Sequence, residues 1–237
     1  MNNLVVGATL ALGAVLFSQP AKADILFGVY GEAQYWMTDT SGGYGDQPNY
    51  SGFNYDNENQ LRLSIALHHP LPLIPNIRIE TQDMKAMVPA TGTASGNIDG
   101  ELDLSHDSAI FYYRFLDNTL VRLHAGVGVK RFDGRVSDWE GNVWNLDETI
   151  PTAYAMVSGG LPFTGLSAYA RGHFLAIDSS SLQDIEAGLQ YRLFDTALLD
   201  GSIQLGYRYF NVELDDVAGL YSDVEFKGPF VGFQLHF

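Results

Sequence analysis

Seven of the nine arginines, Arg62, Arg78, Arg114, Arg122, Arg171, Arg192 and Arg208, lie in stretches that alternate apolar and polar residues, and each takes the polar phase. Glu32, Glu80 and Glu186 share that phase. A planar guanidinium makes several directed hydrogen bonds, so arginines matched by carboxylates suit a confined space where charges must pair. Such a lining does one of two things. It selects small solutes or ions in a narrow channel, or it fills the interior as an ion-pair plug. Gly126, Gly128, Gly160, Gly188 and Gly206 lie on the same face and leave room for the long side chains.

Two further groups bear on chemistry. "SHDS" sets His106 beside Asp107, a combination that serves hydrolysis when both groups reach one substrate. Adjacent strand residues point to opposite faces, which makes them poor partners unless a bulge intervenes. Acidic and aromatic residues collect elsewhere, with Trp139 and Trp144 as candidates for stacking a surface ligand. "NIDGELD" carries carboxylates without calcium-loop spacing. No catalytic residue, metal ligand or cofactor is assigned.

The elements that carry these residues are strands. "QLRLSIALH" opposes Leu61, Leu63, Ile65 and Leu67 to Arg62, Ser64 and His68, and "SIQLGYRYF" opposes Ile203, Leu205, Tyr207 and Tyr209 to Gln204, Gly206 and Arg208. Ten such period-2 segments follow one another, with no long helical periodicity. Short connections alternate with longer polar ones at 38–57, 85–101, 133–148 and 215–223. Short turns at one rim and long excursions at the other describe an outer-membrane barrel. The expected fold is all-β: a closed antiparallel transmembrane β-barrel, ten strands, short periplasmic turns and longer extracellular loops. The segment 85–104 leaves the strand number least defined. Apolar residues then face lipid, and closure pairs every strand amide where no water can.

The chain ends support export. An apolar run at 4–17, too short to span a bilayer, precedes Ala21-Lys22-Ala23, a small-x-small cleavage pattern. Residues 1–23 read as a cleaved signal peptide and 24–237 as the barrel. At the other end, Val231, Phe233, Leu235 and Phe237 alternate up to a terminal phenylalanine. That pattern is similar to the signature by which barrel-assembly machinery accepts outer-membrane strands. A net charge of −15 argues against nucleic acid, and with no cysteine neither a disulfide nor a thiolate site can form.

"LFGVYGEAQYW", "DLSHDSAIFYYRFLDN", "GVGVKRFDG" and the closing strand together resemble an uncharacterised family of outer-membrane β-barrel proteins of gammaproteobacteria, noted as accompanying GlyGly-type C-terminal sorting tails. The resemblance implies fold and outer-membrane location and supplies no activity. The expected role is non-enzymatic, a plugged structural barrel or a narrow small-solute channel, with outer-membrane lipid and lipopolysaccharide as surroundings. The alternatives are an omptin-like hydrolase with its site at the extracellular rim, or a surface-binding protein using the acidic and aromatic loops.

Overall fold

The computed structural model describes residues 27–237, apart from 51, 72, 90–98, 119, 139–140, 178–179, 197 and 218. The proposed signal peptide lies outside the described residues. So does Trp139.

The described residues form thirteen strands: β1 (Gly28–Met37), β2 (Asp39–Gly45), β3 (Asn59–His68), β4 (Asn76–Gln82), β5 (Lys85–Val88), β6 (Gly100–Asp103), β7 (His106–Asp117), β8 (Val121–Ser137), β9 (Val143–Gly160), β10 (Leu166–Ile177), β11 (Ser180–Asp195), β12 (Asp200–Val217) and β13 (Leu220–His236). Ten of them close a barrel in the order β1-β3-β4-β7-β8-β9-β10-β11-β12-β13, all antiparallel. β13 returns to β1 through seven register pairs, from Tyr30 opposite His236 to Trp36 opposite Phe230. The other three extend the wall. β2 continues β1 along β13, while the β5–β6 hairpin lies against β8 above β4 and β7.

Up to the middle of the wall, side chains sort as the alternation requires. Leu205 is 58% exposed on the outside and Val127 66%, while Arg208 between the lumen neighbours is 1% exposed. Above that level the sorting reverses without any change of phase. On β12, Phe210, Val212 and Leu214 turn inward and are buried, whereas Asn211, Glu213 and Asp215 face out. β13 does the same, with Val224 and Phe226 inside and Asp223, Glu225 and Lys227 outside. On β8 the switch falls between Lys130 and Phe132, both buried, with Arg131, Asp133 and Arg135 outside.

The cause is a change of solvent. Strands rise about 3.3 Å per residue and tilt about 40°, so the 18 residues of β12 climb about 45 Å along the barrel axis, against an apolar band of about 25 Å. Some 20 Å of wall, on this arithmetic, therefore stands in water beyond the bilayer. There the outside must be polar and the inside can be an ordinary apolar core. A closed antiparallel barrel with an outward apolar band is the β architecture of the bacterial outer membrane, and that is where this protein resides.

This accounts for one departure from the expected layout. Segments 133–148 and 215–223 are longer than the near-rim turns, but they are mostly barrel wall, not loop, because β8, β9, β12 and β13 run through them. Trp144, expected on a loop, sits on β9 with its ring toward the interior. Between β2 and β5 the wall is completed by a strap, residues 52–56. The Phe53 amide donates to the Gly42 carbonyl at 2.9 Å and the Asp56 amide to the Met87 carbonyl at 2.9 Å. Gly42 has φ +106°, and a Cβ there would lie 2.0 Å from the Asp223 carbonyl oxygen, so only glycine lets β2 pass this close to β13.

Leu205 stands five residues above the start of β12, about 12 Å up the band and near its middle. Leu205→Arg is expected to lower unfolding free energy in lipid vesicles by about 2–4 kcal/mol, whereas Glu213→Arg on the water-facing wall shifts it by less than about 0.5 kcal/mol. Denaturant titration of the two variants checks this.

Candidate functional site: the two-tier lumen

The barrel interior holds two tiers. The lower one lies within the membrane band and is a network of charges that crosses the lumen. Glu32 on β1 is its hub. Arg78 donates to Glu32 at 3.0 Å, Arg171 donates to both carboxylate oxygens, and Gln204 and Gln234 add bonds of 3.3 and 3.2 Å. Arg62 reaches from β3 to Glu186 on the far wall and also meets Gln34. Arg171 Nε is 2.7 Å from Glu186, a close ion pair whose N–H is not aimed at the oxygen. Arg78 binds Glu80 through Nε at 2.6 Å and Ser64 at 2.7 Å.

A second cluster sits beside it. Arg208 grips Asp184 with two bonds of 2.8 and 2.9 Å, and Lys130 reaches the same carboxylate at 3.0 Å. Arg208 also bonds Gln82 at 2.6 Å and lies over the Trp36 ring, 4.7 Å from its centroid.

Of the lumen residues expected from sequence, the network unites Glu32, Arg62, Arg78, Glu80, Arg171, Glu186 and Arg208, all buried. It does not include the other three. Arg114 pairs with Asp117 at the short-turn rim, and Arg192 is half exposed beside Asp195. Both lie next to a register shift where their strands end, so the polar phase no longer aims into the lumen. Arg122 lines the periplasmic mouth without a carboxylate in ion-pair range among the described residues. Asp184 and Lys130 join the network from the polar phase of β11 and β8, where alternation alone also aims them inward.

The upper tier is apolar. Trp36, Phe132, Phe210, Phe226 and Phe230 form its floor, and Met84, Leu102, Val136, Leu146, Leu182 and Val212 pack above them. Phe230 lies against Gly206, where a Cβ would come within 2.6 Å of the ring. The roof is Tyr44, Phe53 and Trp144, in tilted and edge contacts of 4.7 and 6.2 Å. The Tyr44 hydroxyl donates to the Ser137 carbonyl at 2.7 Å, and burial, aided by the nearby Asp138 charge, raises its pKa. Each buried phenylalanine adds about 1.5–3 kcal/mol. The ion network is close to break-even against an apolar filling, so the upper tier supplies more of the stability.

His106 and Asp107 part company. His106 is buried between Phe132 and Phe210, its Nδ1 2.9 Å from the Leu104 carbonyl and its Nε2 3.2 Å from Lys130. Asp107 is exposed on the outside. The wall separates them. Val231, Phe233, Leu235 and Phe237 lie on the outward phase of β13 and just past it, where β13 seals the barrel against β1.

No family model matches the chain, and no curated protein does. Among solved structures the chain is similar to the outer membrane protease OmpT from Escherichia coli, at 9% identity over 93% of this chain and 98% of that one, with a TM-score of 0.43. It is also similar to the CymD monoaromatic hydrocarbon channel, at 9% identity over 90% and 88% with a TM-score of 0.39. A Pseudomonas aeruginosa FadL homologue matches at 10% identity over 90% of both chains with a TM-score of 0.37.

Replacing the hub tests the network. Glu32→Gln leaves buried guanidinium groups uncompensated and is expected to cost about 3–5 kcal/mol. Arg192→Gln, at the exposed rim, is expected to cost less than about 1 kcal/mol. Guanidinium-induced unfolding in detergent micelles measures both.

Proposed function

We propose that this protein is a non-conducting structural barrel of the outer membrane, which holds an acidic, water-facing wall above the lipid surface. The observation that supports this reading is that the lumen is filled twice over. An ion entering from the periplasm meets charges already paired across the barrel. Beyond them lies a packed apolar plug, and apolar constrictions exclude water and ions. A channel through the lower tier alone would still end blindly beneath Phe210, Phe226 and Phe230.

The outer wall carries Asp133, Asp147, Glu213, Asp215 and Asp223. Lipopolysaccharide phosphates would meet this surface through divalent cations, which bridge two anionic partners. Insertion would use β13, where Val231, Phe233 and Leu235, with Phe237 just past the strand, would offer the barrel-assembly machinery an apolar terminal stripe. Hydrolysis is the less favoured reading, because His106 and Asp107 lie on opposite sides of the wall.

Planar-bilayer recording tests the proposal. The wild-type barrel is expected to give no current steps, and Arg208→Ala is expected to stay silent because the apolar tier remains above the vacated space. Reproducible steps from the wild type would instead establish the channel reading.

A further inference from the structure

The filling of the lumen stops short of the periplasmic mouth. Between the ion network and the short-turn rim lies a cavity of about 60 Å³, room for about five water-sized atoms. Tyr112, Tyr154 and Tyr169 form apolar walls, and Arg122, His124 and Ser158 line it from β8 and β9. Arg122 and Ser158 are register partners, so their side chains enter side by side.

One feature of this lining is unmet among the described residues. Arg122 has no carboxylate in ion-pair range among the described residues. Asp117, the register partner of Arg122 on β7, is taken up by Arg114. A guanidinium beside open volume, with no acid of its own, suits an anionic guest. The inner wall does not repel negative charge. Glu32 lies there, but its oxygens are taken up by Arg78, Arg171, Gln204 and Gln234.

Charge balance gives the sign of the missing guest. Within the network Arg62, Arg78, Lys130, Arg171 and Arg208 face Glu32, Glu80, Asp184 and Glu186, five bases against four acids. Arg122 adds a further positive charge at the mouth. A chain of net charge −15 thus keeps an excess of base around its lower lumen, while at the rim Asp117 and Asp195 are held by Arg114 and Arg192, and Asp200 faces His236.

We propose that this vestibule is a binding site for a small oxyanion, a carboxylate or phosphate group, taken up from the periplasmic side. Arg122 would supply the paired donors that match such a group, with Ser158 beside it as a hydroxyl donor. The inference does not depend on whether the lumen conducts.

The test is calorimetric titration of the refolded barrel in maltoside micelles with inorganic phosphate and with acetate, against chloride at equal ionic strength. The expected result is saturable binding of one anion per barrel for at least one of the two. Arg122→Gln should weaken it by about tenfold or more, Ser158→Ala should weaken it to a smaller extent, and Arg192→Gln on the same rim should leave it unchanged. The variants are compared only after each shows the wild-type heat-modifiable migration of a folded barrel. Absence of saturable binding for both probes, or equal affinity in folded Arg122→Gln, would overturn the proposal.

Discussion

One wall must satisfy two solvents. The long strands β8, β9, β12 and β13 pass from hydrocarbon into water without leaving the barrel, and side-chain alternation at fixed phase is the only freedom the backbone offers. The structure meets this by exchanging the polarity of its faces at one level. Below it, leucines and valines face lipid around paired charges; above it, acids and amides face water around phenylalanines. Trp36 and Phe230 mark that level on neighbouring strands, where Arg208 spreads over the indole and Phe230 lies on Gly206. The Trp36 N–H is met there by the Gly228 carbonyl at 3.1 Å, so the junction leaves no indole donor unpaired.

The same exchange explains why the lower lumen is ionic although burying charge brings little net stability. Apolar residues on both faces within the band would make each pass a continuous apolar run of about ten residues, with no alternation to fix which face meets lipid. Interleaved arginines, glutamates and glutamines prevent that. Above the band the outer face is already polar, so the inner face is free to be apolar. The lower tier gives the chain passage and register, and the upper tier gives it cohesion.

The outward stripe and the inward arginines were legible from period-2 alternation alone. Leu61, Leu63, Ile65 and Leu67 point out and Arg62 points in, as the spacing requires. The upper tier was harder to see, because alternation does not say which face is inside. Phe210, Val212 and Leu214 alternate with Asn211, Glu213 and Asp215 as regularly as the lower residues do, but with the signs reversed. With lipid assumed outside throughout, the continuations at 133–148 and 215–223 read as polar loops. Trp144 was lost to the same assumption, and Arg192 to a bulge that no composition reveals. The cavity at the mouth depends on which rings stop where, a property of packing in three dimensions.

The change of face along β12 is the most direct point of attack, and the absence of native cysteine makes it clean. Single cysteines at Ile203, Leu205, Tyr207, Asn211, Glu213 and Asp215, all on the outer phase, are to be challenged with a membrane-impermeant maleimide in lipid vesicles. The account predicts protection at Ile203, Leu205 and Tyr207 and rapid labelling at Asn211, Glu213 and Asp215. Equal labelling along the whole strand, or protection throughout, would contradict it.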